Sequence, residues 1–469
     1  MIMLNKEKFY KIALISIFAF GFLARFFLYI RNQSLWLDEA MLAANILNKS
    51  YSDLFRGLDY IQVCPVLFSV TVKFLTEFVH SQNMWWRDLV LRILPFISGI
   101  LSLPAFYILV RTVFHNNKKQ ILIAMFLFCA NPCAIIYSAQ LKQYSTELLC
   151  AIILLTLFYK IIVKNKCKSL YVAIIAIAPW ISYSSLLLEA AGFTLLLFKN
   201  RKAFMYTIIP TLLSLSIYYF VSLKFVFAVN YVGMDVFWSN AHSFIDFYHP
   251  LRLFIRTGEL FVMTKHMAIV AGAIVLLACF INLISKADVY KKMLYFLPIL
   301  FTVVASYIHK YPYSARLILF LLPIFIIMVT TVNKRVYTVF QIVLGAITLF
   351  SLSNFTPDAQ EVCYSYAREV VDYLEQNVKP SDIIIIDASF TDYDVYLKNG
   401  EFSNRIFRLH ETCLEQNIDK CRLLLENLPY KNFYFLSASY NVKEIVGANY
   451  SEINLGFRPK KCKFVYVKG

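Results

Sequence analysis

Two adjacent carboxylates, Asp38 and Glu39, are the residues of this sequence best suited to acid–base chemistry. They lie in QSLWLDEAML (33–42), directly after an apolar run of membrane-spanning length. In a structural reading, Asp38 is the N-cap of a helix over 39–47 and Glu39 lies in its first turn. In a catalytic reading, Asp38 takes a proton from an acceptor hydroxyl at the water–lipid boundary. The two readings are compatible, because a capping Asp is held rigidly.

Asp38 and Glu39 are not expected to share one task, although both are catalytic candidates. Neighbouring positions of a helix point about 100° apart. Glu39 is therefore expected to orient the helix or to hold a cation.

Three further residues could bind a phosphate group: Lys142 and Tyr144 in QLKQYS, and Arg316 in YPYSAR. Lysine and arginine form strong, charge-assisted hydrogen bonds with phosphate oxygens. The alternative for the two cations is that their stems snorkel along apolar surface at a helix end. Tyr144 could equally belong to an aromatic belt at the membrane interface.

A metal site is a further hypothesis, with His242, Asp246 and His249 of NAHSFIDFYHP as its ligands. Their spacing of i, i+4 and i+7 places them on one face if the segment is helical. Such donors suit a divalent cation. The alternative is a wet loop ended by Pro250, so the metal and any other cofactor are left open.

The elements that position these residues are predicted to be membrane-spanning helices. The chain has 469 residues, of which 59% are hydrophobic. Repeated apolar runs of about 20 residues predict helical spans, and they are too long for the strands of a barrel. The formal net charge of +17 does not indicate nucleic acid, because much of the excess lies in short loops, as the positive-inside rule predicts. The fold class is a polytopic α-helical membrane protein with about eleven spans.

The basic loops set the predicted orientation. HNNKK (115–119), KNKCK (164–168) and NKR (333–335) are placed in the cytoplasm together with the N-terminus, because cytoplasmic loops carry the excess of Lys and Arg. If the apolar segment 63–79 crossed the membrane, all these loops would be outside. The segment is therefore predicted to be an interfacial or re-entrant helix within an outer-face loop over 31–88, and Lys142 and Arg316 are outer-side cations.

The last part of the chain is predicted to be an extracytoplasmic α/β domain over 353–469, after a transmembrane domain over 1–352. An amphipathic helix is followed by the buried strand DIIIIDAS (382–389) and by strands over 430–439 and 457–468. One or two disulfides among its four cysteines, Cys363, Cys413, Cys421 and Cys462, are left open.

The order of these motifs resembles the GT-C class of glycosyltransferases, in the branch of protein O-mannosyltransferases and lipid A aminoarabinose transferases. The resemblance rests on WLDEA after the first span, on CPVLFS (64–69) at the start of a following helix, and on NPCAIIYSAQLKQYS. The branch typically has a Pro-Pro-Leu-Tyr-like sequence where this chain has the looser CPVLF. The resemblance covers the first 150 residues well, KYPYSARLILFLLP (310–323) moderately and the tail only in general plan.

The resemblance implies transfer of a sugar from a polyprenyl-phosphate donor to a hydroxyl acceptor at the outer face, with inversion and with Asp38 as the base. A single acidic motif suffices there, because phosphate leaves without full protonation, whereas a glycosidase needs two spaced carboxylates. The partners would be the donor, a lipid, glycan or protein acceptor, and the bilayer. The composition, rich in Lys, Ile and Asn, suggests a bacterium with AT-rich DNA, and the chain is then expected in its plasma membrane.

Two rival functions are left open. One is a transporter or flippase for a lipid-linked glycan that uses Asp38 and the intramembrane Glu189 as proton-relay groups. Transporters usually show two related halves, and this sequence shows no such repeat. The other is a glycan polymerase or ligase with a pyrophosphate-linked donor.

Overall fold

The structure is a computed structural model of the chain. It describes residues 2–79, 83–262, 264–331, 335–353, 366–379, 382–386, 392–397, 406–408, 432–437, 450–452 and 463–468. The described part is mostly helical, and all its strands lie after residue 382. The four tail cysteines lie outside the described residues.

Twenty α-helices follow one another along the described chain. They are α1 (Ile2–Arg31), α2 (Leu37–Asn48), α3 (Tyr51–Leu54), α4 (Val66–Val79), α5 (Met84–Leu91), α6 (Ile93–Val113), α7 (Lys118–Cys129), α8 (Pro132–Ile136), α9 (Tyr144–Ile162), α10 (Ser169–Ile181), α11 (Ser185–Lys199), α12 (Arg201–Tyr218), α13 (Lys224–Asn240), α14 (Leu251–Gly258), α15 (Lys265–Ile284), α16 (Val289–Tyr307), α17 (Leu322–Thr331), α18 (Arg335–Ser353), α19 (Ala367–Asn377) and α20 (Asp394–Leu397). Short 3₁₀ turns cover Tyr137–Ala139 and Leu319–Leu321, and a π-helical turn over Tyr219–Leu223 joins α12 to α13.

The described helices confirm a polytopic helical membrane protein. Six of them are long and apolar enough to cross a membrane, or seven if the bent pair Lys118–Cys129 and Pro132–Ala139 is one span. Ser169–Ile181, Leu319–Thr331 and Thr338–Ser353 are apolar but shorter. The predicted count of about eleven is therefore not reached by helices of full length.

The bent pair owes its shape to Pro132. Proline has no amide hydrogen and cannot continue the hydrogen bonds of the preceding helix, and the two helices are bent by 55°. Arg25 of α1 is fully buried beside the break. Its Nη1 donates to the carbonyl oxygens of Gly21, at 2.9 Å, and Cys129, at 3.2 Å, so the guanidinium caps the C-terminal end of α7.

Segment 63–79 forms a helix that is too short to span. Its helical part, α4, has 14 residues, whereas a straight crossing takes about 20. Lys73 Nζ and Glu77 Oε1 are 3.0 Å apart and form an i,i+4 ion pair on this helix.

The chain divides into two compact units. The membrane unit comprises Met1–Arg31, Asn45–His80 and Leu89–Phe355, and the tail unit comprises Asn32–Ala44, Ser81–Asp88 and Thr356–Gly469. In the membrane unit α9 is the central helix. Of its most apolar stretch of 18 residues, 72% is buried inside the protein, compared with 11% of the corresponding stretch of α1. The helix that begins at Tyr144 is thus held on most sides by other helices.

The tail unit contains a mixed five-stranded sheet with the strand order β2-β1-β3-β5-β4. The strands are β1 (Ile383–Ile386), β2 (Ile406–Arg408), β3 (Asn432–Ser437), β4 (Tyr450–Glu452) and β5 (Lys463–Lys468). Strands β2 and β3 are both parallel to β1. The run of four buried isoleucines in β1 suits this position, because β-branched side chains favour strands and parallel strands are covered on both faces. β1, β3 and β5 lie within the three segments that the sequence predicts as strands.

Candidate functional site

Helix α2 begins two residues earlier than the capping reading predicts. The carbonyl oxygen of Trp36 accepts the first helical hydrogen bond, from the amide of Ala40 at 2.8 Å. Trp36 is therefore the N-cap, and the expectation that Asp38 is the N-cap of a helix over 39–47 is wrong. The apolar Leu37 begins the helix because Glu39, three residues after Trp36, supplies the missing cap: its Oε2 accepts the Trp36 amide at 3.4 Å. This is the carboxylate half of a capping box.

The two carboxylates of the motif have different surroundings. Glu39 is 1% exposed, and Leu35 and Ala40 on either side of the motif are fully buried. Asp38 is only half-buried and lies in the first turn of α2, where the helix dipole favours a negative charge. Glu39 thus serves the start of the helix, and the catalytic role of Asp38 stays a prediction.

A buried network that sequence reasoning missed surrounds the residues before α2. Asp88 is fully buried, and its Oδ2 accepts from Arg368 Nη1 at 2.8 Å and from the Tyr396 hydroxyl at 2.7 Å. The same hydroxyl accepts the backbone amide of Leu35 at 2.8 Å. Asp88 and Arg368 lie 280 positions apart in the sequence, so no local pattern could have paired them. All these residues belong to the tail unit.

Lys142 and Tyr144 lie in the membrane unit and are both buried. Lys142 is 5% exposed, and its Nζ donates to Gln62 Oε1 at 2.7 Å. Gln143 contacts the same loop segment, because its Nε2 donates to the carbonyl oxygen of Val63 at 3.4 Å. The predicted phosphate-binding segment thus lies against the residues that lead into CPVLFS. A buried ammonium in this position is not a snorkelling lysine.

Arg316 is half-buried, and its guanidinium lies over the Trp238 ring, 4.9 Å from the centroid. Tyr311, in the same loop, interacts electrostatically with Glu147 and Tyr144 of α9. Burial, and to a smaller extent these two groups, raise the pKa of Tyr311 well above its usual value. The YPYSAR loop and the start of α9 are therefore neighbours within the membrane unit.

Glu147 is a further polar residue at this place that the sequence did not single out. It is 4% exposed, one turn into α9, and its carboxylate accepts the backbone amides of Tyr183 and Ser184. Those residues form the break between α10 and α11. Nearby, burial raises the pKa of the Cys64 thiol to about 12, and the ammonium of Lys142 opposes the shift.

The helical face required for the metal hypothesis does not form. Residues 241–250 lie in turns between α13 and α14. Asp246 instead binds its neighbours: Oδ1 is 2.9 Å from His249 Nδ1, and Oδ2 pairs with Arg252 Nη1 at 2.5 Å. Across the described chain, no group of three or more His, Cys, Asp or Glu side chains, including His242, is arranged to hold a metal ion.

The predicted site residues thus fall into two groups. Asp38 and Glu39 belong to the tail unit, and Lys142, Tyr144 and Arg316 belong to the membrane unit. Within the membrane unit, the segments that carry Lys142, Tyr144 and Arg316 are neighbours, as described above. Convergence of Asp38 with the cations stays a prediction.

Comparison with known proteins finds similarity at the level of solved structures. No protein-family model matches the chain, and no curated protein sequence matches it. A crystal structure of ArnT from Cupriavidus metallidurans bound to undecaprenyl phosphate has 10% identity and a TM-score of 0.42, with 96% of this chain and 97% of that chain covered. The archaeal oligosaccharyltransferase AglB from Archaeoglobus fulgidus, in complex with an inhibitory peptide and a dolichol-phosphate, has 12% identity and a TM-score of 0.48, with 91% and 69% covered.

Proposed function

We propose that the chain is a membrane glycosyltransferase that moves a sugar from a polyprenyl-phosphate donor to a hydroxyl acceptor at the outer face, with Asp38 as the general base. The observation that carries the proposal is the division of labour in the Asp-Glu pair. Glu39 is buried and reaches the Trp36 amide, whereas the neighbouring Asp38 is half-buried. A carboxylate held on the first turn of a helix suits proton abstraction.

In the proposed reaction Asp38 accepts the proton of the acceptor hydroxyl. The acceptor oxygen forms a bond to the anomeric carbon as the bond from that carbon to the phosphate oxygen breaks. The electron pair leaves on the phosphate, which stays attached to its polyprenyl chain. Because the acceptor attacks opposite the leaving phosphate, the anomeric configuration is inverted.

Lys142, Tyr144 and Arg316 are proposed to hold the departing phosphate. The support is that their segments are neighbours around the start of α9 and that Lys142 is a buried cation. Positive groups placed where negative charge develops stabilise the transition state, most strongly in a site without water.

The topology belongs to the same proposal. We infer about eleven spans, in which the shorter apolar helices also cross or enter the bilayer, since they carry exposed apolar side chains such as Leu170, Ile342 and Leu349. The N-terminus would be cytoplasmic, and the tail would lie outside the plasma membrane of a bacterium. The sugar transferred would be a pentose or a hexose.

The test is sugar transfer by Asp38→Asn in detergent or nanodiscs, with a panel of polyprenyl-phosphate sugars as donors. Loss of a base is expected to slow transfer by about 10²- to 10⁴-fold, while binding of undecaprenyl phosphate is retained. The matched control is Asp59→Asn, an exposed outer-loop carboxylate paired with Lys49 at 3.0 Å, which should transfer normally. Unchanged transfer by Asp38→Asn would remove Asp38 as the base, and competition by pyrophosphate-linked donors alone would favour the polymerase or ligase alternative.

A further inference from the structure

We propose that Arg368 and Tyr396 of the tail are positioning residues for Asp38. They bind the backbone of residues 32–36, here called the strap, which leads directly into α2. The inference rests on the proposed function and extends it, because it makes catalysis depend on side chains more than 300 positions away from the catalytic motif.

Arg368 holds the start of the strap. Its Nη2 donates to the carbonyl oxygen of Asn32 at 2.7 Å, and its backbone amide donates to Ser34 Oγ at 3.2 Å. The Ser34 hydroxyl in turn donates to Glu369 Oε2. Asn32 has a positive φ of 43°, a conformation that non-glycine residues seldom adopt. The chain direction at the start of the strap is therefore fixed by two consecutive residues of α19.

Tyr396 holds the end of the strap. Its hydroxyl accepts the Leu35 amide at 2.8 Å and donates to Asp88 Oδ2 at 2.7 Å. The guanidinium of Arg87 lies 5.4 Å from the centre of the Tyr396 ring. One hydroxyl thus fixes the backbone three residues before Asp38, and the next amide, that of Trp36, is fixed by Glu39.

The network is rigid because its charges are buried and paired. Asp88 has 0% and Arg368 has 7% of its side chain exposed. Hydrogen bonds to charged groups strengthen in such surroundings, and networks of this kind specify one geometry. Since a misplacement of about 1 Å in a catalytic group can cost about 10²-fold in rate, the network is suited to set the position of the Asp38 carboxylate.

The first test is hydrogen exchange of the full-length protein carrying Tyr396→Phe. This variant keeps the ring and the Asp88–Arg368 pair and removes only the hydroxyl. Peptides that cover residues 32–40 are expected to exchange at least about tenfold faster, since the Leu35 amide loses its acceptor. The matched control is Tyr466→Phe, which also removes a tyrosine hydroxyl. Tyr466 lies in β5, where its ring centre is 4.8 Å from that of Tyr434, and it does not belong to the network around the strap. Unchanged exchange over 32–40 in Tyr396→Phe would overturn the proposal.

The second test separates positioning from folding by kinetics, with the donor that supports transfer in the Asp38 experiment. Arg368→Lys keeps the positive charge but replaces the planar guanidinium, whose Nη1 and Nη2 donate to Asp88 and Asn32, by a single ammonium group that cannot reproduce this geometry. Arg368→Lys and Tyr396→Phe are each expected to lower kcat by about 10- to 100-fold with little change in the KM for the donor. If Asp38→Asn abolishes transfer while both variants keep the wild-type kcat, positioning is refuted and the proposed function stands. If Asp38→Asn transfers normally, the proposed function fails, and the exchange test still decides whether the tail fixes the strap.

Discussion

Replacing Arg368 by Met should weaken the tail unit far more than an ordinary surface substitution. Methionine fills part of the space of the arginine stem but leaves the Asp88 carboxylate, which is fully buried, without its cation. Breaking a buried ion pair by removing one partner costs about 3–5 kcal/mol. Such a loss lowers the local folding equilibrium by about 10²- to 10⁴-fold and is a large share of the stability of a domain.

The double variant Arg368→Met/Asp88→Leu should recover most of this loss, because it removes both charges together. Replacing a buried pair by apolar residues is often neutral or stabilising. The assay is hydrogen exchange of the α19 amides in nanodiscs, where protection reports the free energy of local opening. We expect the two single effects to be non-additive by at least about 2 kcal/mol. Additive effects, or a change below about 1 kcal/mol in Arg368→Met, would show that the pair is not buried and would refute the reasoning.

Three further outcomes are expected. Glu39→Ala should destabilise the start of α2 by about 1 kcal/mol, whereas Glu39→Gln, which keeps an acceptor for the Trp36 amide, should not, as judged by exchange of the α2 amides. Lys142→Met should weaken binding of undecaprenyl phosphate by about 10- to 100-fold, since a hydrogen bond to a charged group contributes about 1.5–3 kcal/mol, while Lys119→Met, an exposed lysine of a predicted cytoplasmic loop, should bind normally in the same titration. A membrane-impermeant maleimide should label the exposed Cys167 only after cells are permeabilised, and labelling in intact cells would reverse the proposed orientation.

Much of the architecture follows from local patterns in the sequence. Apolar runs predicted the long helices, because satisfying backbone hydrogen bonds in lipid leaves few alternatives. The isoleucine run predicted β1. Each of these patterns acts within a few residues, where the period of the helix or the strand decides the outcome.

The remaining features depend on contacts that no local pattern reports. The start of α2 was misjudged because Glu39 caps it from inside the helix, so Trp36 could take a position that Asp usually fills. Asp88, Arg368 and Tyr396 were missed because their pairing joins distant parts of the chain. The helical face predicted to carry His242, Asp246 and His249 does not form, because the segment lies in turns where Asp246 pairs with Arg252.

An experimental structure of the protein with undecaprenyl phosphate bound would test the proposed site most directly. We expect the phosphate to contact Lys142 and Arg316 and the Asp38 carboxylate to face it across a cavity that holds a single sugar ring. A phosphate bound to these cations with Asp38 turned toward bulk water or hydrocarbon, beyond the reach of any sugar on that phosphate, would contradict it.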